Sequence, residues 1–123
     1  MKRAIKKILG LRKEVSIGFY MADLFFRKIL RQNADTPWAV HYTSTIVAAD
    51  KIKRGINVFP GDSPGNFINA NNGISIGDFT NIGPNVGIIS INHNKIDNTK
   101  YDPAPPIVIG KFCWIGMNAV ILP

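Results

Sequence analysis

The sequence points to a mainly β fold, a solenoid of short stacked coils preceded by amphipathic helices. Two observations carry the β part. Ile76-Gly77, Ile82-Gly83 and Ile88 recur every six residues, with Thr80 and Val86 each four places after an isoleucine. After an interruption the same beat returns at Ile109-Gly110, Ile115-Gly116 and Ile121, with Cys113 and Ala119 in the four-later column. A period of six belongs neither to a helix, at about 3.6, nor to a strand that alternates at two. It suits coils that bury an apolar edge only by stacking on a neighbour. The third observation, a basic segment with apolar stripes at residues 1–33, supplies the helices.

Met1 to Asn33 is helical in character. Ile5, Ile8 and Leu9 fall on one face among lysines and arginines; Ile17, Met21, Leu24 and Phe25 make a second stripe, thickened by Phe26, Ile29 and Leu30. Gly10 and Gly18 weaken a continuous helix, so two shorter ones are expected. The longest weakly charged run, Val15 to Phe26, is broken by Asp23 and falls short of the roughly 20 apolar residues of a membrane span. No apolar run of the kind found in a secretory signal follows the first lysines.

Charge separates this segment from the rest. Residues 1–31 hold nine lysines and arginines against Glu14 and Asp23, whereas residues 32–123 hold six against six aspartates. The net charge of +7 therefore belongs to the amino-terminal segment. A neutral repeat body argues against a protein that tracks nucleic-acid phosphates. The basic segment has two compatible uses. It can pack over the first coil, whose open edge needs covering, and it can touch an anionic membrane surface through residues 1–31.

Asn33-Ala34-Asp35-Thr36-Pro37 closes a helical region at 1–37, since Pro37 forces extended backbone before it. The repeat region is placed at 38–123. Val40, Ile46, Ile52 and Val58 are six apart and read as the first coil, with His41 as a half-buried wall residue. Phe59 to Asn72, with its glycine, proline and asparagine corners, reads mostly as turns. Asn85 is assigned to a repeat corner. From Ile88 to Ile109 the interval is 21 residues, not a multiple of six, so the chain leaves the stack and returns. The excursion opens at Ser90-Ile91-Asn92-His93, runs as a polar loop over 94–106 and ends in a proline cluster. A histidine where a rigid repeat gives way to a loop is well placed for chemistry. The single cysteine excludes an internal disulfide framework and fits a reducing, cytoplasmic setting. Cys113, in the small-residue column, reads as packing.

Repeated Ile-Gly hexads, Asn92-His93 opening a loop, and Ile107-Val108-Ile109-Gly110 leading to Trp114-Ile115-Gly116 resemble the hexapeptide-repeat acyltransferases. Within that family the chain is most similar to the sugar, maltose/galactoside and xenobiotic O-acetyltransferases. The likeness covers roughly residues 40–123 and is strongest over 66–93 and 107–123. It implies a left-handed parallel β-helix and a homotrimer with clefts between adjacent subunits. It also implies acetyl-CoA as co-substrate, and an acetyl group moved to a hydroxyl of a sugar or polysaccharide precursor. No metal is implied. On this resemblance His93 is the catalytic base. Asn69 and Asn71 are candidates to hold the acceptor or acetyl group, with turn or stacked-asparagine duty as the default reading. Trp114 is an aromatic wall for acceptor and cofactor, with subunit packing as its other reading. Relatives continue for several coils beyond the position of Pro123, where they form much of the acetyl-CoA groove and a carboxy-terminal cap, so the chain is expected to be cut short there.

The chemistry asks for few groups. A hydroxyl that attacks a thioester must lose its proton, and a histidine near neutral pKa serves that step, worth about 10²–10⁴ in rate. Backbone N–H groups would steady the oxyanion, and direct transfer in a ternary complex is expected. Where relatives often carry Asp after Asn-His, this chain has Asn94, so Asp97, Asp102 or a backbone carbonyl is left to orient the imidazole. Two other readings compete with this one. The zinc-dependent γ-carbonic anhydrases share a similar solenoid but need three histidines, and only His41 and His93 are present. A non-catalytic scaffold or membrane-surface assembly protein stays open as the alternative.

Overall fold

In the computed structural model, which describes residues 2–123, the chain is mostly short strands and loops behind a few short helices. Met1, at the head of the expected helical segment, lies outside the described residues, as do the side chains of Lys2 and Arg3. The strands are β1 (Thr45–Val47), β2 (Ile52–Arg54), β3 (Phe67–Asn69), β4 (Ile74–Ile76), β5 (Asn81–Ile82), β6 (Gly87–Ile89), β7 (Asn92–His93), β8 (Tyr101–Asp102), β9 (Ile107–Ile109), β10 (Trp114–Ile115) and β11 (Val120–Ile121). They form three small parallel sheets, ordered β1-β3-β6-β11, β2-β4-β9 and β5-β10. From β1 to β4 the chain alternates between the first two sheets; from β4 on it visits all three in turn, and an antiparallel hairpin, β7–β8, interrupts between β6 and β9.

Register explains the six-residue beat. Ile46 pairs with Ile68, Ile68 with Ile88 and Ile88 with Ile121; Ile52 pairs with Ile74 and Ile74 with Ile107; Ile82 pairs with Ile115. Each ladder points its isoleucines inward, and together with Trp38, Val40, Val58 and Val86 they make one buried cluster. β-Branched side chains suit this use because they are stiff and fill a pleated surface. The glycines after isoleucine answer to space. A Cβ on Gly77 would lie 2.7 Å from the backbone of Gly110 and Lys111, so successive visits of the chain approach backbone to backbone.

Corners between strands use left-handed residues: Ala48, Asn57, Phe79, Asn85, Phe112 and Asn118 all have positive φ. Asn85 sits at a corner as expected. Phe79 and Phe112 do not announce themselves as turn residues, because a bulky side chain rarely adopts that backbone; their rings stack 5.3 Å apart and 12° from parallel on the outside. Buried hydroxyls tie the corners to one another. Ser44 Oγ donates to Ser63 O at 2.7 Å and accepts from Asn66 N, and Thr80 Oγ1 donates to Gly110 O at 2.7 Å and accepts from Cys113 N. Cys113 is half-buried, with its thiol beside Lys111 O. The reading of residues 59–72 as turns needs correction: β3 lies within them as an inner strand of the four-stranded sheet, and Ile68 is fully buried between Ile46 and Ile88.

The amino-terminal segment forms α1 (Lys2–Ile8), α2 (Ile17–Leu24) and a π-helical turn at Phe25–Ile29. Gly10 (φ +64°) follows the end of α1. Gly18, expected to weaken the helix, instead lies in the first turn of α2, where Ser16 caps Phe19 N at 3.1 Å and tolerance for glycine is greatest. Polar groups hold the segment to the body. Buried Asp23 accepts from Arg27 at 2.6 Å and from Val40 N at 2.9 Å, while Arg27 also donates to Thr36 O and Trp38 O. Arg12 pairs with Asp62 at 2.6 Å and lies over the Phe59 ring. At β1 itself the expected cover for the open edge comes from Asn33. Asn33 Oδ1 accepts from Ile46 N at 2.8 Å and Asn33 Nδ2 donates to Ser44 O at 2.9 Å, beside the edge strand β1. The expected apolar stripe shares in this packing only in part: Ile17 and Phe26 are half-buried, with Phe26 stacked on Tyr42, whereas Met21, Leu24, Phe25, Ile29 and Leu30 are exposed. No described helix is long and apolar enough to cross a membrane.

Candidate functional site

His93 is carried on the β7–β8 hairpin, facing Tyr101, while Asn92 faces Asp102. The expected loop at 94–106 is thus ordered by strand pairing that already begins at Asn92. Asn94 organises the hairpin's tip. Its Oδ1 accepts from Ile96 N and Asp97 N, each at 2.9 Å, and its Nδ2 donates to Asp102 Oδ1 at 2.7 Å. Asp97 continues the turn by accepting from Thr99 N and from the Thr99 hydroxyl at 2.6 Å, with Lys100 Nζ at 3.2 Å. The Thr99 hydroxyl, and then Lys100, hold the Asp97 carboxyl below the usual aspartate range.

The imidazole is oriented by the main chain. His93 Nδ1 lies 2.6 Å from Asn98 O. A carbonyl can only accept, so Nδ1 must carry the hydrogen, and in the neutral ring Nε2 keeps its lone pair. The ring rests against Tyr101 at 4.8 Å between centroids. Of the three orienting groups left open by the sequence, the geometry selects the carbonyl; Asp97 and Asp102 act on the hairpin and on Asn94. Asn98 escaped sequence reasoning because every residue owns a carbonyl. Tyr101 was missed because the pairing of 93 with 101 leaves no signature in composition or spacing.

The candidate asparagines lie at the corner where this excursion begins. Asn69 ends β3 opposite Ile89, and its carbonyl accepts from Ser90 N at 2.9 Å. Its side-chain oxygen accepts from Asn71 N at 3.1 Å, which is turn duty. Asn71 is exposed, and its carbonyl accepts from Lys51 Nζ. Asn72 N donates to Ser90 Oγ, so the whole turn is fastened to the foot of the hairpin. Trp114 stands apart, on β10 in the two-stranded sheet opposite Asn81, with 71% of its surface exposed. Within one chain, then, Asn69 and Asn71 share a corner with the base of the His93 hairpin, and Trp114 belongs to another face.

His41 is structural in its contacts. Its Nδ1 accepts from Thr43 N and meets Thr43 Oγ1 at 2.8 Å, and its ring stacks on Tyr42. Two hollows involve the amino-terminal segment: one of about 740 Å³ is lined by Lys6, Lys7, Leu11 and Glu14 of the segment itself, and one of about 310 Å³ lies between Phe19 and Ala22 on α2 and His41. Among the described residues no group of three His, Cys, Asp or Glu side chains is placed to hold a metal ion. The chain matches no protein-family model, no curated protein and no solved structure.

Proposed function

We propose that the three parallel sheets are the faces of a left-handed β-helix of hexapeptide repeats. On this reading the protein is a cytoplasmic O-acetyltransferase that moves an acetyl group from acetyl-CoA to a hydroxyl of a sugar or polysaccharide precursor. The observation that carries the reading is the His93 hairpin. An exposed imidazole with Nδ1 bound to Asn98 O leaves Nε2 free as a base, on the one excursion that breaks the parallel stacking. Nε2 takes the proton of the acceptor hydroxyl as its oxygen attacks the thioester carbonyl. The tetrahedral species collapses with loss of the thiolate, and the imidazolium returns the proton to that sulfur.

Acetyl-CoA supplies the activated acyl group. The chain offers part of a seat for it: the exposed Trp114 ring is a flat apolar wall of the kind a pantetheine arm packs against. Because Trp114 and His93 lie on different faces of one chain, the reading takes the protein as a homotrimer in which a cleft between protomers joins a hairpin to a neighbour's wall. On this reading Asn69 and Asn71, in the turn fastened to the foot of the hairpin, line the acceptor side.

Incubation of the protein with acetyl-CoA and a panel of sugars, followed by mass spectrometry, tests the proposal. Acetylation of at least one sugar by wild type and not by His93→Ala is expected; no binding of acetyl-CoA and no transfer would overturn it. A non-catalytic scaffold or membrane-surface assembly protein is the second reading, favoured by the basic amino-terminal segment with its exposed apolar side chains.

A further inference from the structure

α2 and the π-helical turn after it present a mixed polar and aromatic side to the body. Asp23 and Arg27 face the body as an ion pair, and Phe26 stacks on Tyr42 at 4.8 Å. Met21, Leu24, Phe25 and Ile29 recur at i, i+3, i+4 and i+8 on the opposite side, and all four are exposed, Met21 and Ile29 by 67% each. Leu30 extends this patch, and on α1 Ile8 is 82% exposed. A soluble chain seldom leaves so continuous an apolar surface to water without a use for it.

Charge says what covers it. The two arginines that face inward are matched by acids, Arg12 by Asp62 and Arg27 by Asp23. The cations left outside are unlike the neutral body: Lys28 shares the apolar face at i+7 and Arg31 follows it, while earlier in the segment Lys7 and Lys13 are exposed, with Glu14 as the acid beside them in sequence. We infer that the outward face of α2 and its π-helical turn, with these flanking cations, is a docking surface for an anionic lipid bilayer. Leucine, isoleucine, methionine and phenylalanine side chains enter the boundary between headgroups and acyl chains while lysine and arginine meet lipid phosphates. A second copy is disfavoured as occupant, because pairing this face with itself would bring two strongly basic segments together. The inference is independent of acetyl transfer and uses none of the residues at His93.

Cosedimentation of the full chain with vesicles tests it, using phosphatidylcholine alone and phosphatidylcholine mixed with phosphatidylglycerol. Binding to the mixed vesicles, weaker as salt is raised, and little to phosphatidylcholine alone is expected. Leu24→Ser combined with Ile29→Ser should lower the partition on the order of tenfold, and Lys28→Glu combined with Arg31→Glu by at least about tenfold. All of these positions are exposed, and an unchanged unfolding midpoint verifies that each variant is folded. The inference fails if wild type ignores the mixed vesicles, or if both double variants bind as wild type does. It also fails if Leu24→Ser with Ile29→Ser abolishes self-association in a protein that binds no lipid, which would assign the face to a second copy.

Discussion

The side-chain amide of Asn33 takes the place of a missing strand beside Ile46. It accepts from Ile46 N at 2.8 Å and donates to Ser44 O at 2.9 Å, so one residue satisfies two backbone groups on the open edge of β1. Asn33 does so from a left-handed backbone (φ +53°), which asparagine tolerates better than most residues. Asn33→Gly keeps that backbone accessible and removes only the amide. It is expected to destabilise the protein by about 1–3 kcal/mol, read as a shift of the urea midpoint at constant slope. A change within error would mean that water replaces the amide at no cost.

Ile88 is the centre of the longest ladder, paired to Ile68 and Ile121 and fully buried. Truncation to alanine removes contacts on both sides and leaves a cavity that neighbouring strands cannot close. Ile88→Ala is expected to cost about 2–5 kcal/mol, whereas Val108→Ala, on an outward position, should stay within about 0.5 kcal/mol. Equal losses at the two sites would contradict the inward and outward assignment.

Much of the strand content was legible because buried apolar side chains on neighbouring strands recur six residues apart. Val40, Ile46, Ile52 and Val58 are buried as their spacing required, and the break in the beat after Ile88 coincides with the β7–β8 hairpin. Ile68 is six residues before Ile74, so β3 obeyed the same rule, but the surrounding glycines, prolines and asparagines hid it. Phe79 and Phe112 could not be read as corners, since the left-handed backbone they adopt is imposed by the stack against their own preference. The candidate site was legible only as a position, at His93. What orients the imidazole is a carbonyl, and what divides Trp114 from His93 is topology; neither has a residue type that marks it.

Two carboxylates make stability depend on acid pH. Asp78 is held below the ordinary aspartate range first by its bond to Lys111, at 2.7 Å, and then by Ile56 N, and Asp97 by Thr99 and Lys100. A lowered folded value means that the unfolded chain binds protons more readily. The contribution is therefore complete above the unfolded pKa of about 3.9 and is lost as pH falls through the folded value. Urea midpoints should be flat from neutral pH to about pH 5 and fall below it. Lys111→Ala should lessen the part of that fall due to Asp78; an identical pH profile in the variant would remove Lys111 as the cause.

The tautomer of His93 can be observed directly. Long-range ¹⁵N–¹H spectra at a pH where the ring is neutral are expected to show the hydrogen on Nδ1 and an unprotonated Nε2. Asn94→Ala, which releases Ile96 N, Asp97 N and Asp102 from their common partner, should broaden or mix the two tautomers without unfolding the strands. Predominance of the Nε2–H form in wild type would deny the ring its role as an Nε2 base.

If His93 is the base of the proposed acyl transfer, the rate of CoA release in the presence of an accepted sugar depends on its imidazole. His93→Gln, compared with wild type at matched folded fraction, is expected to lower that rate by about 10²–10⁴ while leaving the unfolding midpoint nearly unchanged. A variant that transfers as fast as wild type would contradict the assignment of the imidazole and the mechanism built on it.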